Sequence, residues 1–343
     1  MDVLDQQNLT VEYCFPDNNL SCTKQVHTGP AYTLLFIFLS FVCLCAVFFN
    51  LLVIISISHF KQLHSPTNLL ILSLALADLL VGIFVMPINI MQLSDSCWYL
   101  GKIVCCLFPV ISSVSLSASL YSMAFIAVDR YIAICYPLLY SARVTVCRTK
   151  LALILGWSFA AFYIAIIYYF SDHLFPSQIS FKCYGECVII VKYSWMIVDL
   201  VFSFICPCFI IVILYSLIFK AAVRQAKAVR AVVNAASQRK KVKVSNSSET
   251  KAAKKLGSII CIYLVCWIPF YFSCLSVESL TSLSMVWTVF TWLIYINSSV
   301  NPLLYAIFYP WFRASVKFIV TCKILESSSS RLNLYKEHSL PNA

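Results

Sequence analysis

The chain has 343 residues, 61% of them hydrophobic and only 11% charged, with six glycines and a formal charge of +11. That leaves too little polar surface for a water-soluble domain of this size, so soluble classes are set aside and a membrane domain is implied. No arrangement of nucleophile and base suggests an enzyme.

A hydrocarbon core about 30 Å thick takes roughly 20 apolar residues as a helix. Seven stretches meet that length: 32–57, 67–92, 103–135, 150–170, 193–219, 256–279 and 285–308. The expected fold is all-α, a seven-transmembrane helix bundle with a short amphipathic cytoplasmic eighth helix. The division is an extracellular tail (1–31), the membrane domain (32–308), an interfacial helix (309–322) and a disordered cytoplasmic tail (323–343). Residues 1–31 lack a basic start followed by an apolar run, so the first span is expected to act as the insertion signal.

Basic residues between the spans are lopsided: 21 fall on one side and four, Lys24, Lys102, Lys182 and Lys192, on the other. Lys and Arg stay on the cytoplasmic side, which puts the N-terminus outside in a multi-pass plasma-membrane protein. The outer face carries eight acids, Asp2, Asp5, Glu12, Asp17, Asp95, Asp172, Glu186 and Glu278. Such a mouth attracts cations, and salt weakens the attraction. Asn8 and Asn19 begin acceptor sequons in this outer segment and are candidate glycosylation sites.

Of 17 cysteines, six fall outside: Cys14, Cys22, Cys97, Cys105, Cys183 and Cys187. The bridges expected are Cys105–Cys187 and Cys22–Cys183, with Cys14 and Cys97 left open. No histidine is spaced to complete a zinc site with Cys183 and Cys187.

Charges inside the membrane are costly and mark function. Asp78, in mid-span, has Ser119, Asn297 and Asn301 as expected neighbours, an oxygen set suited to an allosteric sodium ion; the alternative is a carboxylate satisfied by those amides. No cofactor is required. Asp199 lies eight residues before Pro207 and about 32 Å above Lys220, in the outer third of the fifth span. Ser203 follows one turn later on the same face. Without a basic partner in the spans, Asp199 invites a cation; the alternatives are protonation or a hydrogen bond to a neighbouring helix.

Asn50, Asp78, Asp129-Arg130-Tyr131, Trp157, Pro207, Cys266-Trp267-Ile268-Pro269 and Asn301-Pro302-Leu303-Leu304-Tyr305 together resemble the signatures of rhodopsin-like G-protein-coupled receptors. Within that class, the run from Asn297 to Arg313 (NSSVNPLLYAIFYPWFR) resembles the seventh-helix fingerprint of trace amine-associated receptors. The stretch from His59 to Asn68, the Ser96-Cys97-Trp98-Tyr99 run and the Cys14 and Cys22 pair resemble the same family. The resemblance implies olfactory receptors for volatile amines in sensory neurons, signalling through a stimulatory G protein to cyclic AMP.

One position departs from the pattern. Amine-binding members carry an aspartate 18 residues before the Arg of the Asp-Arg-Tyr motif, and here that residue is Ser112. Five helical turns separate it from Arg130, so it faces the pocket but cannot neutralise an ammonium. The resemblance extends to a subgroup with its aspartate in the fifth span, at the position of Asp199. A protonated amine is therefore expected to pair with Asp199, with Ser112 and Ser203 adding hydrogen bonds and its hydrocarbon part meeting Trp267, Phe270, Tyr271 and Tyr295. Monoamines rank above diamines. The aromatic stripe is equally compatible with ordinary helix packing.

The expected switch pairs Arg130 with Asp129 at rest, beside Tyr131, and releases Arg130 toward Tyr215 and Tyr305 as the sixth span moves. Pro207 and Pro269 supply bends, with Trp267 between pocket and core, and Asn301 and Pro302 belong to the same switch. The basic segment 220–255 lacks interleaved aromatics, so it is not expected to bind nucleic acid; it reads mostly as a solvated loop whose helical ends meet the G protein and anionic membrane lipid. Residues 311–325 read as an interfacial helix with Cys322 a palmitoylation candidate. The serines at 327–330 suit phosphorylation, bringing a receptor kinase and arrestin in as partners. The competing readings are a receptor for a peptide or neutral ligand and, more remotely, a transporter or channel.

Overall fold

A computed structural model describes residues 12–26, 29–175, 177, 182–188, 192–236, 248–276, 285–326 and 330. Asn8, Glu278, the Arg239-Lys240-Lys241 centre of the basic segment and most of the serine run at 327–330 lie outside the described residues.

The membrane domain is a bundle of seven helices. The first, α1, spans Pro30–His59, and α2 spans Pro66–Ser94; α3 spans Gly101–Cys135 and α4 spans Val146–Phe170. Next, α5 runs through Tyr193–Asp199, a π-helical turn at Leu200–Ile205, and Cys206–Ala236. Finally α6 is Ser248–Ser276 and α7 is Met285–Phe308. A further helix, α8, is Pro310–Val320 and turns 102° away from α7. Starts follow capping chemistry: Ser65 Oγ accepts the Asn68 amide at 3.3 Å, and Thr145 Oγ1 accepts the Arg148 amide at 3.3 Å.

The helical ends expected of the basic segment reach further than its reading as mostly loop allowed. Residues up to Ala236 continue α5, and α6 begins already at Ser248. The Ala-rich run after Lys220 has high intrinsic helix propensity, which outweighs the repulsion of its spaced, solvated charges.

Buried polar residues pin the bundle, because unpaired polar groups are expensive in hydrocarbon. Asn50 Nδ2 donates to Ala46 O at 2.8 Å and across to Ser298 O at 2.9 Å, joining α1 to α7. Trp157 Nε1 donates to Ser73 Oγ at 3.0 Å, which lies 2.9 Å from Ser122 Oγ, joining α4, α2 and α3. Leu34, Phe41, Phe162 and Phe209 instead stay exposed, as a lipid-facing surface requires.

At one end of the bundle three disulfides join Cys14 to Cys97, Cys22 to Cys183 and Cys105 to Cys187. The isolated β-bridge Tyr13↔Thr23 folds the tail on itself, and Ser21↔Tyr184 and Val26↔Asp95 lay it against the two loops carrying Cys183 and Cys97.

Candidate functional site

Asp199 closes the first segment of α5, where the π-helical turn begins. An extra residue in that turn rotates Asp199 relative to the helix below it, and such turns are frequent at functional sites. The half-buried carboxylate accepts the Tyr271 hydroxyl of α6 at 3.2 Å. Ser203, 5% exposed, and Tyr163 of α4 also lie beside the carboxylate, and neither hydroxyl makes a hydrogen bond among the described residues. The ion pairs among the described residues are Lys24–Glu12, Arg130–Asp129 and Lys192–Asp172, so only neutral hydroxyls attend Asp199 there.

Below Asp199 runs a column of stacked rings. Phe204 stacks on Tyr271 with centroids 4.7 Å apart, Tyr271 on Trp267 at 5.9 Å, and Trp267 on Tyr263 at 5.3 Å. Tyr263, Trp267 and Tyr271 are four residues apart, the spacing that puts side chains on one helix face. Phe270 meets Tyr271 edge-on at 5.4 Å.

Ser112 is 9% exposed and neighbours the Tyr295 hydroxyl, toward which Asn89 Nδ2 donates at 3.4 Å. Among the described residues this cluster holds no acid. Tyr168 links the two regions: its hydroxyl is 3.2 Å from Ser113 Oγ and within electrostatic reach of both Asp199 and Tyr295. Asn89, Tyr121, Tyr163 and Tyr168 went unnoticed in the sequence. The fourth span carries so many aromatics that periodicity singles out none.

Asp78 is fully buried; it accepts Ser119 Oγ at 3.3 Å and Asn301 Nδ2 at 2.7 Å. Ser298, three residues before Asn301 on the same helix face, is its third hydrogen-bonding neighbour. Asn297 is buried nearby on α7, and its Oδ1 makes no hydrogen bond among the described residues.

At the opposite end from the disulfides, Arg130 Nε donates to Asp129 Oδ2 at 2.9 Å, and its Nη2 reaches the same oxygen and Thr67 Oγ1. Thr67 donates to Asp129 Oδ2 and Tyr140 to Asp129 Oδ1, each at 2.8 Å. Tyr140 comes from the short helix Pro137–Arg143 and, with Thr67, was not anticipated. Tyr131 turns away to meet Tyr136 edge-on at 5.8 Å. Tyr215 packs against Ile134 and Ile218, while Tyr305 is 2% exposed with its ring 5.9 Å from Tyr309. In α8, Trp311, Phe312 and Phe318 are buried, and Arg313 and Lys317 are exposed; Cys322 follows, exposed.

The profile described as 7 transmembrane receptor (rhodopsin family) matches residues 49–305. The chain is 38% identical to trace amine-associated receptor 6 of Pan troglodytes over 343 aligned residues, 96% of this chain and 97% of the relative. It is also 38% identical to trace amine-associated receptor 13c of Danio rerio, over 98% of this chain and 99% of the relative. Human trace amine-associated receptor 6 is 38% identical over 96% and 97%.

Proposed function

The chain belongs to the trace amine-associated receptors of the rhodopsin-like class, and from that premise we propose that it binds a protonated amine through Asp199 and activates a stimulatory G protein, raising cyclic AMP. It is a multi-pass membrane receptor, not an enzyme. The observation that carries the reading is Asp199 itself: an acid in the membrane domain with a hydroxyl donor at 3.2 Å and no cationic partner among the described residues. Amines such as alkylammonium ions are protonated near neutral pH, like lysine with its reference pKa near 10.4. Micromolar affinity takes about 8 kcal/mol, within reach of one desolvated ion pair plus a few buried methylenes.

The amine enters from the disulfide-bearing end, which lies outside the cell, as the surplus of acids there over lysines favours. Its nitrogen competes with Tyr271 for Asp199, and the stacked Tyr271, Trp267 and Tyr263 rings carry the displacement along α6. Pro207 and Pro269 allow α5 and α6 to bend. Arg130 then leaves Asp129, Thr67 and Tyr140 for the G protein and for Tyr215 and Tyr305. Arrestin and receptor kinases act on the tail. The resemblance brings olfactory sensory neurons as the site of expression. Asn8 and Asn19 are glycan acceptors, Asn19 lying in an exposed turn, and Cys322 is a palmitoylation site.

Asp78, Ser119, Ser298 and the unpaired Asn297 oxygen suit a small hard cation, with Asn301 orienting the carboxylate. A sodium ion held there would stabilise the resting bundle.

Replacing Asp199 by Asn tests the central claim. The variant is expected at normal surface density, with amine-evoked cyclic AMP lost by at least about 100-fold in potency, as removal of a desolvated charge pair implies. Unchanged potency would end the proposal.

A further inference from the structure

The side of Asp199 that faces α3 and α4 holds three hydroxyls with no hydrogen bond of their own among the described residues: Tyr121, Tyr163 and Ser203. Ser203 and Tyr163 lie beside the Asp199 carboxylate without bonding to it, and Tyr121 is a neighbour of Ser203 within electrostatic reach of Asp199. Buried hydroxyls in native proteins are nearly always satisfied, so three orphans around one carboxylate mark a place where donors arrive from elsewhere. The rings are also held in place. Tyr163 stacks on Phe159 with centroids 6.0 Å apart and tilts against Phe202 at 6.3 Å, while Tyr121 tilts against Phe159 at 5.9 Å. Those flanking rings oppose rotation of either phenol away from the carboxylate.

We propose that Tyr163 and Ser203, backed by Tyr121, form with Asp199 a subsite that counts the N–H donors of the ligand and so selects primary ammonium over N-methylated amines. A primary ammonium offers three N–H groups, which Asp199, Ser203 Oγ and Tyr163 Oη can all accept; the carboxylate and two hydroxyls match that number. Each methyl group removes one donor and leaves one acceptor buried and unpaired beside a methyl. A purely aromatic cage would rank the series in the opposite order, because cation–π attraction tolerates full methylation. The inference rests on Asp199 being the anchor, and it adds residues of α3 and α4 that no amine-binding role of Asp199 by itself requires.

The test is isothermal titration of the full-length receptor in lipid nanodiscs with hexylamine, N-methylhexylamine, N,N-dimethylhexylamine and trimethylhexylammonium. The expected result is a stepwise loss of affinity, about tenfold for each methyl group added. Tyr163→Phe and Ser203→Ala should each weaken hexylamine by about tenfold while leaving trimethylhexylammonium within about twofold, cutting the preference by about tenfold. That change of ratio separates a contact with the ligand from a structural role, which would weaken all four alike. Equal affinities across the series in wild type, or a tighter quaternary ligand, would overturn the subsite while leaving Asp199 as anchor if Asp199→Asn still abolishes binding. If Asp199→Asn leaves binding intact, the anchor falls and the subsite with it. If wild type binds none of the four, both are lost.

Discussion

At the scale of single residues, the third span carries Ser112 where the resemblance leads one to expect an acid. Ser112 is buried beside the Tyr295 hydroxyl and Asn89, a neutral cluster that accepts and donates hydrogen bonds but balances no charge. A second ammonium placed there would be desolvated without compensation, which costs several kcal/mol. Ser112→Asp supplies the missing countercharge, so the variant should gain responses to α,ω-diamines by about tenfold or more relative to wild type while retaining monoamines. Dose–response curves for matched monoamine and diamine pairs check this, and an unaltered ratio between them would show that the cluster does not line the ligand path. Asn50 illustrates the same rule in a structural role. Its amide serves two carbonyls on two helices, and Asn50→Ala should cost about 1–3 kcal/mol, seen as a lower thermal midpoint of the purified receptor.

At the scale of helices, what the sequence made legible is what a one-dimensional criterion can find. Apolar length located the seven helices, and fixed polar residues such as Asn50, Asp78 and Arg130 gave their relationship. The π-helical turns at Val81–Val85 and Leu200–Ile205 carried no such mark, because one extra residue per turn leaves composition unchanged. The helical continuation to Ala236 was hidden by its charges, which pattern reading assigns to solvent in loop and helix alike. The site shows the same limit. Asp199 stood out as a charge in an apolar run, whereas Tyr163 was one aromatic among several, and only the packing of α4 against α5 brings it to the carboxylate. Close helix approach is a further property that packing alone reveals. A Cβ on Gly82 would meet Val47 Cγ2 at 3.0 Å and the Val47 backbone nitrogen at 3.3 Å, so α1 and α2 touch through bare backbone there. Gly82→Ile should therefore push the two helices apart and cost about 1–3 kcal/mol, measured as a fall in thermal midpoint; a neutral result would mean the pair slides without penalty.

At the scale of the whole molecule, the two ends are held by different physics. The Arg130 end relies on packing and on a charged hydrogen-bond cluster. The disulfide end is cross-linked. The ordered tail pairs back on itself through the Cys14 amide and Cys22 carbonyl at 2.9 Å, and onto the second loop through the Tyr184 amide and Leu20 carbonyl at 2.7 Å. The Trp98 amide in turn donates to Gly185 at 2.8 Å, so tail and both loops form one interlocked cap. Cys14–Cys97 closes across 83 residues of sequence, and Cys22–Cys183 across 161. Long closures restrict the open chain most, by about 5 kcal/mol in the chain-entropy account, although helices already confined by a bilayer leave less entropy to remove. The Cys14→Ser, Cys97→Ser double variant should accordingly loosen the cap without unfolding the bundle. Hydrogen exchange is expected to rise at least about tenfold at the Cys14, Tyr184 and Trp98 amides, while amides of α3 around Arg130 keep their protection. Protection lost equally at both ends would mean that the cap and the bundle unfold as one cooperative unit, and unchanged exchange at Trp98 would mean that the hydrogen bonds alone, without the covalent tie, suffice to hold the mouth.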